Sequence, residues 1–229
     1  MIIGSGLLAR AFAAKFTASE EVCIYAAGVS DSGCGDALEF EREARRLAHS
    51  LRDARHCDAF VYFGTCSVAD PEARDTPYVQ HKLRMERLVS EHPRWLVLRL
   101  PQVAGQTPNP HTLLNYLHAK IARSEAFSVW SKARRNVIDV EDVAAIACEL
   151  VGQPNLRQRT LNIANPVSYP IAEIVHAFEL ALRKKAICTP VPRGSAYPID
   201  VTPIQPILHR LGHFDENYLH RVVARYYGR

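Results

Sequence analysis

No Cys-x-x-Cys pair occurs in this chain, whose six cysteines are Cys23, Cys34, Cys57, Cys66, Cys148 and Cys188. That scattering excludes the common zinc spacings and a disulfide framework. Cys23, Cys57 and Cys148 fall inside apolar patterns, where a thiol serves as a small core residue. The chain reads as a protein of a reducing cytoplasm. No apolar run approaches a membrane span. The apolar start lacks the charged segment of a signal peptide. Repeats and low-complexity tracts are missing too. The net charge of +4 is spread without a basic block, which argues against nucleic acid or a membrane surface as partner. His209, His213 and His220 share no ligand spacing, so no metal is expected.

What is present fits a compact α/β protein. The 229 residues are 48% hydrophobic and 23% charged, enough to bury a core. Met1-Ile2-Ile3 leads into Gly4-Ser5-Gly6-Leu7-Leu8-Ala9, at G-x-G-x-x-A spacing. Gly4 would make the tight turn, Gly6 would let a pyrophosphate approach the backbone, and Ala9 would let the helix pack closely. The alternative is a plain turn between a strand and a core helix. Further on, Thr65-Cys66-Ser67-Val68 ends an apolar strand, and Tyr78-Val79-Gln80-His81-Lys82 follows. Tyr78 and Lys82 share one helix face, where an ammonium can lower a phenol's pKa. A solvated helix face is the alternative reading of that pair, with His81 at an exposed position between them.

The hydrophobic pattern predicts a helix over Leu7–Phe16, a strand over Glu21–Gly28 and a charged amphipathic helix over Leu38–Asp53. Next come a strand at Ala59–Phe63, a helix at Pro77–Glu91 and a strand at Trp95–Leu100. Helices follow at Thr112–Arg123, Val140–Val151 and Ile171–Arg183, with a strand at Thr160–Ala164. Asp139, Glu141 and Asp142 suit the N-terminus of the Val140 helix. Beyond Lys184 the chain is proline-rich and irregular until a helix at Asp215–Tyr227. Strands alternating with helices predict a mostly parallel sheet covered on both faces. The chain divides as one domain, residues 1–229. Residues 1–105 and 136–165 form a dinucleotide-binding core, and 106–135 and 166–229 a small lobe over the sheet's carboxyl edge.

In order along nearly the whole chain, seven segments resemble the extended short-chain dehydrogenase/reductase superfamily of nucleotide-sugar epimerases, dehydratases and ketoreductases. They are the Gly4–Ala9 turn, Ile24-Tyr25-Ala26-Ala27-Gly28, Val61–Val68, Tyr78 with Lys82, Leu98–Gly105, Arg135–Ala144 and Leu161-Asn162-Ile163-Ala164. The resemblance implies a Rossmann-like fold and NAD or NADP as cofactor, held by Gly4, Ser5, Gly6, Leu7, Leu8, Ala26, Ala27, Gly28, Tyr78 and Lys82. It implies a catalytic triad of Thr65, Tyr78 and Lys82. Tyr78 would exchange the hydroxyl proton, Lys82 would hold the nicotinamide ribose, and Thr65 would polarise the carbonyl. Arg135 would contact the substrate diphosphate, and Asn109 would stand in the substrate-side loop. A nucleotide sugar is the implied substrate, with surface-polysaccharide biosynthesis as the setting by analogy. Pairing through the Leu38–Asp53 and Pro77–Glu91 helices would give a homodimer.

Two departures shape the expectation. Between Ala9 and Val22 there is room for one helix only, so the second and third strands of the family section are missing. The lost second strand normally ends in the residue that separates NAD from NADP. The 4,6-dehydratases of the superfamily carry Asp-Glu after the Thr, where this chain has Cys66-Ser67, so dehydration is not expected. Ketoreduction or epimerisation remains, and Cys66 with His111 is a candidate pair for the latter, against packing and loop roles. A relative that kept the sheet but lost firm cofactor binding is the other function class.

Overall fold

The structure is a computed structural model that describes residues 1–16 and 21–228. Its elements run β1 (Ile2–Ile3), α1 (Leu7–Lys15), β2 (Val22–Tyr25), α2 (Ala37–Asp53), β3 (Ala59–Thr65), α3 (Pro77–Val89) and β4 (Trp95–Leu100). There follow β5 (Gln102–Ala104), α4 (Leu113–Ala122), β6 (Phe127–Trp130), β7 (Arg134–Asp139), α5 (Val140–Val151) and β8 (Arg159–Asn162). The chain ends with β9 (Ser168–Pro170), α6 (Ile171–Leu182), β10 (Cys188–Val191), α7 (Gln205–Leu211) and α8 (Tyr218–Tyr227).

The main sheet has the order β1-β2-β3-β4-β8, and every pairing in it is parallel. This is a Rossmann-like sheet of reduced strand number. Its edge is the two-residue β1, whose single neighbour is β2. Burial on both faces explains why the strands read as continuous apolar runs. In β3, Ala59, Val61 and Phe63 point into the core shared with α1 and α5, while Phe60 and Tyr62 point into the core under α2 and α3. Each such large side chain, fully buried, stabilises the fold by about 2 kcal/mol. A third core lies among α4, α6, α8 and the small strands, around Leu117, Phe178 and Leu219.

Some expectations need correction. The strand at 22–25 stops short of Gly28, which frees Ala26–Gly28 for a loop. Strand β3 runs on through Thr65. The segment past Lys184 is more ordered than its prolines suggest, since β10 pairs in parallel with β6 and α7 is a helix opened by Pro206. Nor does that whole segment join the small lobe: Ile204, Ile207 and Leu208 pack in the main core, where α7 meets α5. Among the described residues, no helix is long and apolar enough to cross a membrane.

Candidate active site

A cavity of about 580 Å³ opens at the carboxyl ends of β1–β4, lined by the glycine turn on β1, the loop after β2, the end of β3 and the first turns of α3. Open parallel sheets bind ligands at that edge. Gly4 has φ of +126°, and a Cβ there would stand 2.5 Å from the Ala26 carbonyl oxygen. Only glycine fits that turn. Gly6 caps α1 with no side-chain hydrogen bond, and a Cβ on it would face open space. The first amides of α1 are therefore left for a ligand, at the positive end of the helix dipole. Ser5, Gly6, Leu7, Leu8, Ala26 and Gly28 line the cavity. Gly4 stands behind it and Ala27 lines a smaller recess of about 360 Å³ beside it.

Thr65, Tyr78 and Lys82 come together on this cavity. Thr65 ends β3, where its Oγ1 accepts from the Ser67 amide at 3.1 Å and its side chain is hydrogen-bonded to Tyr78. Thr76 and Pro77 start α3 as N-cap and first helical residue, which sets Tyr78 one residue inside the helix. Lys82, one turn later, is buried, with Nζ 5.9 Å from the Tyr78 ring centre.

The electrostatics differ from the simple picture of a lysine lowering a tyrosine. Burial pushes the Tyr78 phenol well above its ordinary value, the Glu43 charge adds to this, and the Thr65 hydrogen bond opposes it. Burial likewise pushes the Lys82 ammonium down, against the pull of Glu43. Glu43 is the group that sequence reasoning missed. On a helix face with Leu47 and Ser50 it is buried, and so is His81, expected to be exposed. His81 Nε2 is 2.9 Å from Glu43 Oε2, and its ring stacks on Phe40. Burial alone would raise the Glu43 carboxyl; the His81 hydrogen bond, the Lys82 charge, and the Val29 and Tyr62 hydrogen bonds hold it at about 2. The spacing of Glu43 to Leu47, four residues on along the apolar side of α2, was the available signal.

The other candidates divide. Asn109 lines the cavity, donates from Nδ2 to Ser30 Oγ at 3.1 Å, and accepts from the His111 amide at 2.9 Å. His111 also lines it, 3.8 Å from Asp31. Cys66 does not join His111. Its thiol points to the Arg99 carbonyl, and burial pushes it up to about 12. Arg135 does not line the cavity either. Its guanidinium donates to the Ser195 carbonyl at 3.1 Å and stands 3.7 Å from the buried Asp70, which also accepts from the Ser195 hydroxyl. Arg135 thus fastens the 192–200 segment to the turn after β3. Among the described residues, no carboxylate lines the main cavity and no cluster suits a metal ion.

The model of the NAD dependent epimerase/dehydratase family matches residues 10–164. None of the curated proteins matches the chain. Among solved structures it is similar to UDP-glucose 4-epimerase from Thermus thermophilus in complex with NAD, at a TM-score of 0.72 and 16% identity, covering 90% of this chain and 77% of that one. It is similar to UDP-glucuronic acid 4-epimerase from Bacillus cereus with UDP-glucuronic acid and NAD, at 0.73 and 16%, covering 90% and 74%. RMD from Pseudomonas aeruginosa with NADPH resembles it at 0.66 and 17%, covering 90% and 81%. At these identities the likeness is one of fold.

Proposed function

The chain belongs to the NAD dependent epimerase/dehydratase family, and on that premise we propose that it is an NAD(P)-dependent oxidoreductase or epimerase acting on a nucleotide-linked sugar. The observation that carries the reading is one cavity lined both by the Ser5–Leu8 turn and by Thr65, Tyr78 and Lys82. The structural relatives named above were solved with NAD or NADPH, and one of them with UDP-glucuronic acid.

The residues present fit a dinucleotide. The uncapped start of α1 and the open space at Gly6 suit a pyrophosphate, while Tyr78 and Lys82 suit the nicotinamide ribose. Such a group, when bound, supplies the hydride exchange that no side chain can perform. The chain's own residues then handle protons and orientation. The Tyr78 hydroxyl gives or takes the proton of the reacting sugar hydroxyl. Thr65 donates to the sugar carbonyl as charge develops on its oxygen. Lys82 donates to a ribose hydroxyl. With no carboxylate among the described lining residues, ketoreduction or epimerisation is favoured over dehydration, and Cys66, turned into the core, takes no part with His111 in either. Synthesis of activated sugars for surface polysaccharide is the setting in this reading, and α2 with α3 would pair two copies.

One observation favours a second reading. The sheet ends at β1, so the strand whose end contacts the adenosine ribose has no counterpart among the described residues. A non-catalytic relative without firm cofactor binding is that alternative. Titration calorimetry with NADH, NADPH and UDP- or GDP-sugars separates the two. Heat with a dinucleotide is expected, and none at millimolar concentration sinks the enzyme reading.

A further inference from the structure

Behind Lys82 lies a buried carboxylate that the proposed reaction does not use. Glu43 is 3% exposed and its carboxylate has four partners: the Val29 amide at 2.7 Å, the Tyr62 hydroxyl at 2.8 Å, His81 Nε2 at 2.9 Å and Lys82 Nζ at 3.4 Å. A carboxylate so deeply buried persists only when paired and hydrogen-bonded. These contacts do both, and no buried side-chain polar atom lacks a partner among the described residues.

The donor count on Lys82 is informative. An ammonium carries three N–H groups. One goes to Glu43 and one to the Tyr62 hydroxyl at 3.1 Å, which itself donates back to Glu43. One donor is left, on a residue that lines the cavity. Gly28 closes the arrangement from above, because a Cβ there would lie 2.6 Å from Lys82 Nζ and 2.9 Å from Glu43 Oε1.

We propose that Glu43 is a positioning residue for Lys82. It pins the ammonium against Tyr62, supplies the counter-charge a buried cation needs, and leaves one N–H for a hydroxyl of the bound ligand. That ligand role rests on the reading of Lys82 as the ribose-holding residue. Burial acts on the ammonium in the opposite direction to Glu43 and Glu86, both of which favour its charged form. The ammonium itself is hydrogen-bonded to Glu43 of α2 and Tyr62 of β3, while Tyr25 of β2 donates to the Glu43 carbonyl, Arg46 of α2 acts on Tyr25, and Asp31 after β2 acts on Tyr78. Tyr78, His81 and Glu86 come from α3, and Arg99 from β4 pairs with Glu86 at 2.7 Å. Of these, only Glu43 is within hydrogen-bond reach of Nζ with a negative charge.

The test uses the whole chain labelled with nitrogen-15. The Lys82 Nζ signal, identified by its loss in Lys82→Arg, is titrated in the native protein and in Glu43→Gln. The amide keeps the shape and removes the charge. The Lys82 midpoint is expected to fall by about one pH unit or more in Glu43→Gln. NADH affinity of that variant is then expected to drop about tenfold as pH rises through its own measured Lys82 midpoint, as a charged donor becomes a neutral one, at pH values where the native protein still binds unchanged. An unchanged Lys82 midpoint overturns the proposal. A native protein that binds no dinucleotide is a failure of the enzyme reading, told apart because the midpoint either shifts or stays. Should Glu43→Gln not fold, the native protein decides alone. Slowly exchanging Lys82 ammonium protons with cross-peaks to the Tyr62 ring support the pairing, and their absence overturns it.

Discussion

Gly28 leaves the space that the Lys82 ammonium fills: a Cβ on Gly28 would stand 2.6 Å from Nζ. A backbone position on the loop after β2 therefore controls a side chain on α3. Gly28→Ala is expected to push Lys82 and Glu43 apart and to cost about 1–3 kcal/mol through overpacking. Urea unfolding measures the stability, and dinucleotide titration is expected to show weaker binding in the same variant. Unchanged values in both would show that the loop yields instead.

Tyr78 is buried and hydrogen-bonded to Thr65. Tyr78→Phe keeps the ring and removes the proton. Cofactor affinity is expected to stay within about threefold of native, while turnover falls by about 10²–10⁴-fold. Single-turnover kinetics with the sugar found by calorimetry makes the comparison. Unchanged turnover would remove Tyr78 from the acid–base role.

Acid stability has a predictable sign. The Glu43 carboxyl is held at about 2, below its ordinary 4.5. A depressed folded-state value gives stability that is present above the unfolded pKa and lost as pH falls towards the folded one. The contribution is on the order of 3 kcal/mol, lost between pH 4.5 and 2. Denaturant unfolding across that window is expected to show a shallower pH slope in Glu43→Gln, by nearly one proton. An identical slope would mean that Glu43 is not the group responsible.

Arg135 is engaged by Asp70 and the Ser195 carbonyl rather than turned to the cavity. Arg135→Ala is expected to destabilise the protein by about 1–3 kcal/mol, since it leaves the buried Asp70 without its cation. Nucleotide-sugar affinity is expected to change by less than about threefold. A larger loss, measured by calorimetry at matched stability, would restore Arg135 as a diphosphate ligand.

Order and spacing along the chain carry much of the fold. The run from Trp95 to Leu100 and the helix from Val140 to Val151 match their expected bounds, because uninterrupted apolar periodicity and clear stops mark them. Short strands stay hidden. β5, β6 and β10 have three or four residues each, too few for a period, and their pairing partners lie far along the chain. The sequence pattern places residues 202–211 in the small lobe, yet only packing against α5 decides where Ile204 and Leu208 are buried.

The amino-acid order by itself determined the local chemistry: the Gly4–Ala9 turn, Thr65 at a strand end, and Tyr78 with Lys82 one helical turn apart. Those features depend on backbone geometry over a few residues, where spacing is sufficient. The partners of that chemistry came only with the tertiary structure. Glu43 lies 39 residues from Lys82, and in the sequence it looks like one more charge on a charged helix. The stacking of α2 and α3 on one face of the sheet turns it inward, excludes water, and makes it the counter-ion of the site. Burial then sets the ionisation of Tyr78, Lys82 and Glu43, which no spacing along the chain could specify.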